Sequence, residues 1–205
     1  MWKISLDPRL LREGTYFEFE MGKAAAFAVE FFSLAGLKIL PAPKAGGFYK
    51  SHQVSARFID DSEYEVQAKI LFVGEDYWVI DMGIHVFCEG ECPEGAKVGD
   101  CVGGRLALSV DSFFYFQYAS KDPDVLPLVY DWKVNEISEV ATPNEKLRDE
   151  KGREFFYSNP ATAKTEKVLK TNAQAKRTQE MRVDYILGCE VMGQPRFPVK
   201  RGITP

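Results

Sequence analysis

Tyr64-Glu65-Val66-Gln67-Ala68-Lys69-Ile70-Leu71-Phe72 sets an apolar side chain at every second position, with Glu65, Gln67 and Lys69 between them. A period of two marks a half-buried strand, because successive side chains leave a pleated chain on opposite faces. Gly74-Glu75-Asp76 supplies a short hairpin turn, after which Trp78, Ile80, Met82, Ile84, Val86 and Cys88 share one face. Upstream, Val54, Ala56 and Phe58 share a face, and Asp60-Asp61-Ser62 turns the chain. Downstream, an acidic loop from Glu89 to Asp100 leads to Val102, Leu106, Leu108 and Val110. Then come Phe113-Phe114-Tyr115-Phe116-Gln117-Tyr118 and the alternating set Leu126, Leu128, Tyr130, Trp132 and Val134. Five or six consecutive strands are therefore expected between residues 52 and 135. Such a meander must bury its apolar face, and curling into a small barrel also removes its open edges.

Outside this stretch the pattern changes. Thr15 to Met21 alternates apolar and acidic residues and reads as a further strand. Phe27, Phe31 and Leu34, with Ala24, Ala28 and Ala35 beside them, have helical spacing, so a helix near residues 23–35 is expected to pack on the sheet. Pro41-Ala42-Pro43-Lys44-Ala45-Gly46-Gly47 ends it. After Thr142-Pro143 the chain becomes polar and lysine-rich. Asn159-Pro160 reads as an N-cap and first helical position, from which Lys164, Lys167 and Lys170 would line one side of a helix. Met181, Val183, Tyr185, Leu187, Cys189 and Val191 form a late strand. The expected fold is a β-dominated α+β architecture: a curved antiparallel meander or OB-like barrel with one packed helix. Its parts are an acidic β-rich core domain (1–143), a basic polar excursion or arm (144–180), and a strand returning to the core with an extended C-terminus (181–205).

Val98-Gly99-Asp100-Cys101-Val102-Gly103-Gly104-Arg105-Leu106 resembles the turn-into-strand of OB-type barrels, and the likeness covers about residues 64–118. It implies a small β-barrel, and for function it implies single-stranded nucleic-acid binding. The chain departs from that family in two ways. No helix is evident between the third and fourth strands, and no nucleic-acid-binding signature accompanies the barrel.

Charge is uneven within the total of −4. Residues 1–143 carry a net −9 and residues 144–205 a net +5. An acidic body disfavours broad contact with phosphates, whereas a basic tail can follow them, meet an acidic partner, or fold onto the body itself. The N-terminal segment, Met1 to Pro8, lacks the basic start and apolar run of a signal peptide, and Glu30 and Lys38 interrupt the longest apolar stretch. With four cysteines in 205 residues, a disulfide framework is not expected; reduced thiols in a cytoplasmic protein without a membrane span are.

Candidate chemistry is sparse. His85, Cys88, Cys92 and Cys101 supply four zinc-capable ligands, but on a regular strand His85 and Cys88 project from opposite faces and no paired C-x2-C knuckle is present. Ser51-His52 with Asp60 or Asp61, or Cys92 with Asp100 and His85, would have to be assembled by the fold into a nucleophilic site. The glycines Gly95, Gly99, Gly103 and Gly104 match neither phosphate-binding loop pattern, and no cofactor is expected. Glu89, Glu91, Glu94 and Asp100 would present a negative patch to a basic protein surface. A nucleic-acid alternative would stack bases on Phe113 and Tyr115 and hold phosphates with Lys164, Lys167, Lys170, Lys176 and Arg177. By elimination the sequence favours a non-catalytic cytoplasmic protein that engages another protein, of the immunity or inhibitor type. A single-stranded nucleic-acid binder and an enzyme with an unrecognised site are the alternatives.

Overall fold

The computed structural model describes residues 1–41, 53–122, 124–174 and 181–198. In chain order these form β1 (Trp2–Leu6), α1 (Pro8–Arg12), β2 (Ala24–Phe27), β3 (Val29–Ser33), β4 (Lys38–Ile39), β5 (Ser55–Asp60) and β6 (Glu63–Val73). They continue as β7 (Tyr77–Asp81), β8 (His85–Glu89), β9 (Cys101–Val110), α2 (Phe114–Gln117), β10 (Tyr130–Arg148), β11 (Glu154–Ser158), β12 (Lys164–Lys167) and β13 (Met181–Val191). Short 3-10 turns occupy Ala119–Lys121 and Pro160–Thr162. The chain divides into two compact units, one of residues 1–25 and 133–190, the other of residues 26–132 and 191–205.

The second unit contains a closed five-stranded barrel. β6, β7 and β8 form the antiparallel meander expected from the alternation. β3 joins β8 in parallel through Glu30 and Phe87 and pairs antiparallel with β9, and β9 closes the ring by pairing with β6 from Glu63↔Ala107 to Lys69↔Cys101. The interior is the apolar face read from the sequence: Tyr64, Val66, Ala68, Ile70, Trp78, Ile80, Val86, Leu106 and Leu108 are all buried. Phe31 meets Trp78 edge to face at 5.1 Å, a geometry favoured by the ring quadrupoles. Gly104 adopts φ +151°, and a Cβ there would lie 3.0 Å from a Leu37 methyl, so only glycine lets β9 run this close to the chain outside it.

Residues 23–35 hold two strands, β2 and β3, where a helix was expected. Val29, Glu30 and Phe31 are buried on both faces of β3. A strand covered on both sides is apolar nearly all round and loses its period-two signature, so the alanines beside it imitate a helical stripe. The packed helix is instead α2. Residues 113–118, expected as a strand, turn into α2 and the following 3-10 turn because the Asp111 carboxylate accepts the Phe113 and Tyr115 amides at 3.0 and 3.2 Å. An aspartate capping the next amides offers the backbone an alternative to a ladder. Phe113 takes a left-handed φ of 89° to enter it.

The first unit is built on β13, whose Tyr185 to Cys189 pair antiparallel with Leu6 to Trp2 of β1. Ile4, Leu6, Leu10, Ile137, Tyr185, Leu187 and Cys189 form its interior. Asp7 caps α1 by accepting the Arg9 amide at 2.8 Å, and Pro8 occupies the first helical position. Asn159 does cap a turn, but one of three residues, and the chain then extends as β12 against Ser138 to Ala141 of β10. Lys164, Lys167 and Lys170 therefore do not line a helix.

Candidate functional site

Two connections emerge at the same end of the barrel, because β6 and β8 both run toward it. The Gly74–Asp76 turn and the Gly90–Asp100 loop meet where the Gly90 amide donates to the Asp76 carbonyl at 2.7 Å. The far end of the loop is tied to β6 by the Ile70 amide donating to Asp100 O and the Gly99 amide donating to Ile70 O, at 2.8 and 2.9 Å. The Asp100 carboxylate accepts the Lys97 amide at 2.9 Å and fixes the last turn. Glu75, Asp76, Glu89, Glu91 and Glu94 are exposed here and Asp100 is half-buried, with Lys97 as the lysine among them. Side chains of one sign on adjoining loops raise the local potential and attract a surface of opposite sign.

Behind Glu89 lies a pair of buried acids that period and spacing do not single out. Glu30 on β3 is 4% exposed and Asp111 is fully buried. Burial pushes the Glu30 carboxyl up to about 7, the neighbouring Glu89 and Asp111 charges add to this, and hydrogen bonds from Ser112 partly offset it. Burial likewise pushes Asp111 up to about 6, against the helix-capping amides that hold it down. Glu30 Oε2 and Asp111 Oδ2 have no hydrogen-bond partner among the described residues. The visible signal for Glu30 was a lone acid inside an apolar run, which in a helix would have had a wet side to occupy.

The outer face of β7 and β8 is not open. Tyr77, Val79, Phe87 and Ala28 are buried beneath Tyr115, Ala119, Val125, Leu128 and Val129 of the segment that follows β9. The Tyr115 hydroxyl donates to Leu126 O and accepts the Leu128 amide, at 2.9 and 3.1 Å, which closes the segment on itself, and the Tyr77 hydroxyl of β7 donates to the Asp122 carboxylate at 3.0 Å, which ties it to the barrel. Tyr115 is fully buried and so offers no ring face to a base; Phe113 stays one-third exposed and stacks on Phe116 at 5.8 Å.

The remaining candidates are scattered. His85 opens β8, its amide donating to the Tyr130 hydroxyl at 2.8 Å, whereas Cys92 and Asp100 lie beyond the other end of that strand. Burial raises the Cys88 thiol to about 11 and also raises Cys92, the reverse of what a nucleophile or ligand requires. Cys101 is half-buried at the start of β9. Among the described residues, no three His, Cys, Asp or Glu side chains gather as a metal site. In the first unit Lys170 bridges Glu18 at 2.8 Å and Glu20 at 3.4 Å, Lys167 reaches Glu136 at 3.7 Å, and Lys164 is exposed. Ser51, His52, Lys176 and Arg177 lie outside the described residues. No helix among the described residues is long and apolar enough to cross a membrane. No family model, curated protein or solved structure matches the chain.

Proposed function

We propose that this chain is a non-catalytic cytoplasmic binding protein of the immunity or inhibitor type, and that its acidic barrel end engages a basic protein surface. The observation that carries this reading is the covered face of β7 and β8. The barrel resembles an OB-type barrel whose meander is β6, β7 and β8, and oligonucleotides cross such barrels over the second and third strands. Here that face is occupied by the chain's own Tyr115, Val125 and Leu128. Ligand recognition then falls to the rim, where Glu75, Asp76, Glu89, Glu91 and Glu94 face solvent. A rim of this charge speeds encounter with a basic partner and repels phosphate backbones, so association is salt-sensitive while selectivity is for protein.

The test is affinity capture from the native host with the full chain as bait, beside an E91K/E94K variant. The reading expects a stoichiometric basic protein retained by the native chain, released by salt, and lost by the variant. Capture of no stoichiometric protein, equal retention by the variant, or salt-sensitive binding of single-stranded oligonucleotides by the native chain contradicts it.

A further inference from the structure

Within the first unit, the last residues of β10 pair with β11 as a ribbon of two strands. Asn144 pairs with Ser158, Glu145 with Tyr157, Lys146 with Phe156, Leu147 with Phe155 and Arg148 with Glu154, with no shift of register. Side chains directly opposite each other share a face, so Leu147, Phe155 and Tyr157 lie on one side with Glu145. Phe156 lies on the other, where Glu154 is held by Lys146 at 2.5 Å and Arg148 at 2.9 Å. Leu147 is 39% exposed, Phe155 and Phe156 45% and Tyr157 47%, so neither face is covered. Two strands alone are marginal in water, and three or more with an apolar face are needed for independent stability.

The outer edge of β11 pairs with no other strand among the described residues. Open edges are normally blunted by lysine, proline, a bulge or a covering element. Glu154-Phe155-Phe156-Tyr157-Ser158 contains no lysine or proline, and its register is unbroken. The contrast with β5 is informative: that edge strand carries Arg57 and Asp60 and a register shift between Phe58 and Asp60.

The sequence of β11 is also self-complementary. Read about Phe156, it has aromatic residues at both neighbouring positions and polar residues at both ends. Antiparallel pairing with a second copy across a two-fold axis normal to the sheet sets Phe156 against its own copy, Phe155 against Tyr157, and Glu154 against Ser158. No like charges face each other, which would oppose pairing. The two ribbons merge into a four-stranded sheet in which Leu147, Phe155 and Tyr157 of each copy make one continuous apolar stripe. We propose that the β11 edge joins two copies of this chain in an isologous dimer centred on Phe156, a closed contact that leaves neither β11 edge open for further growth.

Sedimentation equilibrium of the full chain, alone and with charges placed at the centre, tests this. The native chain is expected to sediment as a concentration-dependent dimer. Phe156→Arg and Phe156→Glu each put like charges opposite one another and are expected to sediment as monomers with unchanged circular dichroism. An equimolar mixture of the two is expected to recover the dimer, since Arg then faces Glu only if position 156 faces its own copy. A native chain that stays monomeric overturns the proposal, as do variants that remain dimeric or a folded pair that fails to associate on mixing.

Discussion

Replacing Glu30 with Gln removes a charge that the barrel buries without an adequate partner. The carboxyl has an ordinary value of 4.5 and is pushed up to about 7 in the folded chain. Because the folded state holds this proton more tightly than the unfolded state, the sign follows directly. The group costs nothing below about pH 4.5, destabilises progressively as pH rises, and reaches its full penalty above about pH 7. At about 1.4 kcal/mol for each pH unit, the full penalty is on the order of 3 kcal/mol. Gln is nearly isosteric with the protonated acid, so Glu30→Gln should stabilise the protein by roughly 2–3 kcal/mol at pH 8 and by very little near pH 4. At about 2–4 °C per kcal/mol for a chain of this size, the melting temperature at pH 8 should rise by roughly 5–10 °C. Urea titrations of native chain and variant across pH 4 to 8 measure this. A variant less stable than the native chain at pH 8, or a difference independent of pH, refutes the assignment of Glu30 as a buried, uncompensated acid.

Two further outcomes follow from the packing. Tyr115→Phe removes the hydroxyl that serves Leu126 O and Leu128 N. It should lower stability by about 1–3 kcal/mol in denaturant titrations at neutral pH, and no loss would mean the segment is not closed on itself around Tyr115. Cys189 is fully buried and its thiol is pushed up to about 12, so a thiol reagent followed by peptide mapping should label it only on unfolding. Labelling of Cys189 ahead of the partly exposed Cys92 contradicts the packing of β13 against β1.

The barrel was legible wherever one wall of a strand is wet. Tyr64 to Ile70 alternate because Glu65, Gln67 and Lys69 meet solvent, and although β7 and β8 are covered on both faces, Asp81, Gly83 and His85 at their junction keep the period visible. It fails at β3, where Val29, Glu30 and Phe31 are all buried and Glu30 is the one polar residue before Ser33. It fails again at Phe113 to Tyr118, a run so uniformly aromatic that neither period stands out, and where the Asp111 cap decides the outcome. Lys170 read as part of a basic face, yet its partners Glu18 and Glu20 lie some 150 residues away in sequence. The acidic rim was found because loop residues keep their charge whatever the fold. Glu30 and Asp111 were missed because what sets them apart is burial with one carboxylate oxygen left without a hydrogen bond, which only the folded chain displays.

The claim on which the functional reading rests is that the chain seals its own barrel face. Nuclear Overhauser contacts of the Tyr115 ring measure it most directly. Cross-peaks are expected from that ring to the Phe87 ring, 6.1 Å away between centroids, and to the Leu128 methyls. A solvent-exposed Tyr115 ring, with strand-type backbone contacts from residues 113 to 118, would contradict it and return the open face to a nucleic-acid ligand.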